Sequence, residues 1–144
     1  MKRRQPSAAV NMVERALIAH EWRANVATAR IHALMGENPK ALVNQAGRVF
    51  FVVLGAAMQQ QLHEDQREIR IIRGAVNAVH DQAGVEPIDP MRRASILAGL
   101  ETAVQLLAAL PYPAIVQSAC DLAAKLRRQD IRLEDLVLLV GRRA

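Results

Sequence analysis

Val49-Phe50-Phe51-Val52-Val53-Leu54-Gly55-Ala56-Ala57-Met58 is the most apolar run in the chain, and its reading decides the fold. Arg48 closes it on one side and Gln59-Gln60-Gln61 on the other, whereas a bilayer-spanning helix needs roughly 20 such residues. It reads as a core helix. Leu42, Ala46, Val49, Val53 and Ala56 make one helical face, while Val43, Phe50, Phe51, Val52, Leu54 and Met58 fill the others. A helix that is apolar all round sits in the middle of a bundle or is covered by a partner.

Upstream of it, Val10, Val13, Leu17, Ala24, Ala27, Ile31 and Leu34 recur at alternating spacings of three and four, with His20 completing the series. That is a heptad-like seam along one long helix. Ser7 stands as its N-cap and Gly36 as its left-handed stop. Asn38-Pro39 then supplies an N-cap and a first-turn proline for the apolar helix. Downstream, a stripe runs from Leu62 through Ile69, Ile72, Val76, Val79 and Ala83. Asp65-Gln66-Arg67-Glu68 has the spacing of a capping box, so a break near Leu62 is favoured over one continuous helix.

Gly84 closes that third helix, and Val85-Glu86-Pro87-Ile88-Asp89-Pro90 is the clearest linker, because each proline restricts the residue before it. Asp89 caps a fourth helix with the stripe Ile96, Leu100, Ala103, Leu107 and Leu110, widened by Leu97 and Val104. After Pro111-Tyr112-Pro113 a fifth helix is expected to turn Ile115, Val116, Ala119, Leu122, Ala123 and Leu126 inward. A last short helix is expected over Leu133 to Val140, stopped by Gly141.

The fold class that follows is all-α: one compact domain over residues 1–144, a bundle of five to six helices with largely antiparallel neighbours and a central, strongly apolar helix. Residues 1–6 are expected as a flexible basic arm. Aromatic residues are only 3% of the chain, so the core is built from Ala, Leu, Val and Ile and its helices pack closely. Gly47, Gly55, Gly74 and Gly99 lie inside helices and are expected as close-contact points between them, and Ser118 as a small packing residue.

No cofactor, metal or catalytic signature is found. His20, His32, His63 and His80 have no Asp, Glu or His three or four residues away, so no single helix offers a ligand pair. Ser7, Ser95 and Ser118 lack a nucleophile elbow, and no glycine-rich loop follows a strand. The lone Cys120 is expected as a packed thiol, consistent with a reducing cytoplasm. Glu14 and Arg15 interrupt the apolar run that an export signal would need after Met1-Lys2-Arg3-Arg4.

The net charge is +5 and nearly all of the positive charge is Arg, which fits either phosphate contact or the codon bias of a GC-rich genome. Three functional expectations result. The first is a non-catalytic interaction protein that associates with itself, as a homodimer or larger, because the seam of the first helix and the residues Val49, Phe50, Phe51, Val52, Leu54 and Met58 offer more apolar surface than a small bundle hides. His20, on the seam between Leu17 and Ala24, would there set register or partner choice. The second is backbone-directed nucleic-acid binding through Arg67, Arg70 and Arg73, a band interleaved with Glu64 and Glu68. The third is a ligand or enzyme site assembled across helices around His20, Trp22 or Tyr112.

Overall fold

The computed structural model describes residues 8–36, 38–61 and 66–128. Within them the chain forms five helices and no strand: α1 Ala8–Met35, α2 Pro39–Gln59, α3 Arg67–Gln82, α4 Pro90–Ala109 and α5 Tyr112–Arg128. The expected sixth helix over Leu133 to Val140, the arm over residues 1–6, and Leu62, His63, Glu64 and Asp65 lie outside the described residues.

The helix ends follow from local chemistry. Gly36 adopts φ +67, a left-handed conformation that costs other residues a Cβ clash, and so ends α1. The Asn38 side chain accepts the Ala41 backbone N–H at 3.0 Å to start α2. Asp89 accepts the N–H groups of Met91 and Arg92, each at 3.1 Å, to start α4. Both caps are followed by a proline at N1, where no N–H is needed. The break between α2 and α3 is real, and Gln61 adopts a left-handed φ of 58 just beyond α2. The N-cap of α3 is Gln66, which makes no side-chain capping bond.

α2 is the centre of the bundle and packs against all four other helices. By length and composition it could cross a membrane, yet most of its apolar stretch is buried by this chain's own helices. Leu42, Val49, Phe50, Val52, Val53 and Leu54 are all buried, and Phe51 and Met58 are half-buried. Two of the packed pairs run antiparallel. Gln59 reaches the Ala114 carbonyl at 3.5 Å while Ser118 donates to the Val52 carbonyl at 2.8 Å, which opposes α2 and α5. Arg30 lies 3.9 Å from Glu101 and Gly36 lies against the Arg93 guanidinium, which opposes α1 and α4.

Small residues set the spacing of these axes. A Cβ added at Gly55 would collide with Ser118 of α5. One added at Gly99 would collide with Ala75 of α3 and lie 2.9 Å from Phe50 Cζ of α2. Gly47 is buried as well, but Gly74, expected as a contact point, is exposed with open space where a Cβ would go. It sits on the solvent side of α3, away from the buried row Ile69, Ile72, Val76 and Val79.

Two expectations for α5 are also corrected. Ala123 and Cys120 are exposed, while Ala114 and Ser118 join Ile115 and Leu122 in the core. Two residues turn a helix by about 200°, so Cys120 lies across the helix from both Ser118 and Leu122. Apolar neighbours in sequence therefore did not make it a packed thiol.

Besides Ser118 and Thr102, one longer polar side chain is built into the core. Gln82 is fully buried, and its amide Nε2 donates to the carbonyls of Val85 at 2.8 Å and Pro87 at 3.1 Å. Its Oε1 accepts the Asp89 N–H at 3.1 Å. Every polar atom of this amide is thus spent on the α3–α4 linker, which is how a buried side chain of this kind avoids a desolvation penalty.

Candidate interaction surface

α1 carries two apolar rows on opposite sides. Ile18, Trp22, Val26, Ala29 and Ala33 face the bundle; all are buried except Ile18, which packs half-buried against the core. The heptad seam points the other way. Val13 is 60% exposed, Leu17 63%, Ile31 56% and Leu34 62%, and His20, Ala24 and Ala27 between them are exposed too. From Val13 to Leu34 the row runs about 32 Å at 1.5 Å per residue. Single exposed aliphatic residues need no explanation, but a continuous row of this length is the kind of patch that marks an interaction site.

Charged residues border the row on both sides. Glu14 and Glu21 flank one edge; Arg23 and Arg30 flank the other, where Arg30 pairs with Glu101 of α4 across an exposed 3.9 Å gap. An apolar strip edged by charge is the pattern of a helix seam that pairs with another helix. Thr28 closes its hydroxyl onto the Ala24 carbonyl at 3.1 Å, within its own helix.

The self-association residues expected on α2 are placed otherwise. Val49, Phe50, Val52 and Leu54 are buried within the chain and present no surface; Phe51 and Met58 are half-buried, with Phe51 packed against the core. The reason is position: four neighbouring helices cover most of a central helix and leave only the strip with Arg48, Phe51 and Met58 partly open. His20 is an exposed residue in the single chain, so its imidazole keeps its water and requires no buried partner.

The arginine band is only partly a band. Arg67 and Arg70 are exposed on α3 beside the exposed Glu68, but Arg73 is half-buried. Steps of three residues fall 60° short of a full turn, so two steps carry Arg73 round toward the packed side. The mixture of signs on the exposed part matches an ordinary solvated helix face.

Nor do His20, Trp22 and Tyr112 converge. His20 and Trp22 lie two residues apart on opposite faces of α1, and Tyr112 is exposed at the start of α5. An open groove of about 500 Å³ lies elsewhere, lined by Pro39, Lys40, Val43 and Asn44 of α2 and by residues 82–86. The buried amide at its floor, Gln82, already has all its partners. Among the described residues no three His, Cys, Asp or Glu side chains come together as metal ligands.

No family model, curated protein or solved structure matches this chain.

Proposed function

We propose that this is a non-catalytic helical protein that acts by association, and that its first partner is a second copy of itself docked on the outer row of α1. The observation that supports this is the continuous exposure of Val13, Leu17, Ile31 and Leu34 on a helix whose opposite face already anchors it to the bundle. A helix held from behind presents its free face without further ordering, which removes much of the entropic cost of docking. A matching cover must be a helix of similar length and the same alternation of three and four. The second copy has both.

Sedimentation equilibrium at micromolar concentration tests the reading. The expected mass is near twice 15.9 kDa. The double variant Leu17→Glu, Ile31→Glu is expected to sediment as a monomer with unchanged far-ultraviolet circular dichroism, since both side chains are exposed in the single chain. A monomeric parent protein, or a double variant that still dimerises, overturns the proposal.

A further inference from the structure

Resting on the reading of α1 as the self-association surface, we infer that the two α1 helices pair antiparallel, in a register that seats Leu17 against the partner's Ala27 and His20 against the partner's Ala24. The argument starts from the order of side-chain sizes along the exposed row. Val13, Leu17 and His20 in its first part are larger than Ala24 and Ala27, and Ile31 and Leu34 then restore bulk at the far end. The two alanines lie together, just past the middle.

A parallel pair would stack each residue on its own copy. Two successive layers would then hold only alanine, next to a layer with two facing imidazoles and another with two leucines. A single interaxial distance cannot suit all four: the leucine layer holds the axes apart, and the alanine layers are left as voids. Both imidazoles would also lose water against one another.

Reversing one helix about a two-fold axis near Trp22 removes the mismatch. Val13 then meets the partner's Ile31, Leu17 the partner's Ala27 and His20 the partner's Ala24, and the symmetry repeats these three layers in reverse. The four central layers each combine one large and one small side chain, so one axis separation fits them all. Each imidazole lies over a methyl group. The bundle does not obstruct this, because the packed row of Trp22, Val26, Ala29 and Ala33 faces directly away from the seam. A two-fold contact of this kind is isologous and closes at two copies.

The flanks oppose this arrangement weakly. Antiparallel pairing sets the Glu14 and Glu21 edge against itself and the Arg23 and Arg30 edge against itself, whereas parallel pairing would face Glu toward Arg. All four residues are exposed, and an exposed charge pair contributes far less than a misfitted core layer. The conflict yields a signature: an antiparallel dimer tightens as salt screens its like-charged edges, and a parallel one loosens.

Disulfide trapping decides between them. In a Cys120→Ser background, which removes the exposed native thiol, Leu17→Cys and Ala27→Cys are prepared separately, one carrying a size tag, and each alone and the mixture are oxidised with glutathione disulfide, which is reduced to two glutathione thiols as the cross-link forms. The expected result is a cross-linked heterodimer in the mixture, at least tenfold over either protein alone, with a dissociation constant for the uncross-linked parent that falls between 50 mM and 500 mM salt. Efficient cross-linking of either variant with itself overturns the antiparallel assignment. So does the absence of any cross-link when both variants still sediment as dimers, a result that leaves self-association standing. A parent protein that sediments as a monomer removes the surface itself, and the orientation with it.

Discussion

α1 and α2 are both rich in apolar residues, yet they use them in opposite ways. α2 hides most of its bulk because it touches all four other helices. α1 lies at the edge, buries one row and leaves the other in solvent. Apolar content alone therefore does not tell an interface helix from a core helix. What separates them is how many neighbours the rest of the chain can bring to each, and an edge helix with two apolar rows has one row too many.

The sharpest way to break this contrast is to truncate one large residue on each helix. In the monomeric Leu17→Glu, Ile31→Glu background, Phe50→Ala is expected to cost about 3–5 kcal/mol in urea unfolding, through the cavity left in the middle of the bundle. Leu34→Ala in the same background is expected to change folding by no more than about 0.5 kcal/mol, because its side chain is already in water. Equal costs would mean that the outer row of α1 is not exposed in the folded monomer.

A second test sharpens the packing half of the comparison. Gly99→Ala is expected to destabilise by about 1–3 kcal/mol, since the new Cβ must push Ala75 and the Phe50 ring away. The same change at Gly74, where nothing lies within 4 Å, is expected to stabilise by up to about 1 kcal/mol through helix propensity alone. Thermal melting of the two variants should move in opposite directions. If both rise, the close approach of α3 and α4 to α2 is wrong.

A modest effect is expected away from both helices. Gln82→Leu keeps the bulk but leaves the Val85 and Pro87 carbonyls and the Asp89 N–H without their partner. Because the linker residues are partly in water, the loss is expected near the low end of the range for a broken buried hydrogen bond, about 1 kcal/mol. Faster proteolysis within residues 84–89 would accompany it.

Helix boundaries were legible in the sequence because caps are local: Gly36, Asn38-Pro39, Gly84 and Asp89-Pro90 each act within a few residues. The central role of α2 was legible too, since no solvent-facing helix can be apolar all round. The members of the candidate surface were legible as a seam, from Val13 through His20 to Leu34. Gln82 was not, because a single glutamine near a helix end carries no pattern; the proline-bound linker beyond it was the one available signal.

What the tertiary structure decided was direction. Periodicity places residues on a common face of α1 but does not say whether that face meets the bundle, and α1 has two candidates. The row with Trp22 and Val26 has Ala29 and Ala33 beside them, and small side chains let a helix approach its neighbours closely. That row went inward. The more regular heptad row was left outside, a choice that depends on the shape of α2, α4 and α5 together and so could not be written in α1 alone.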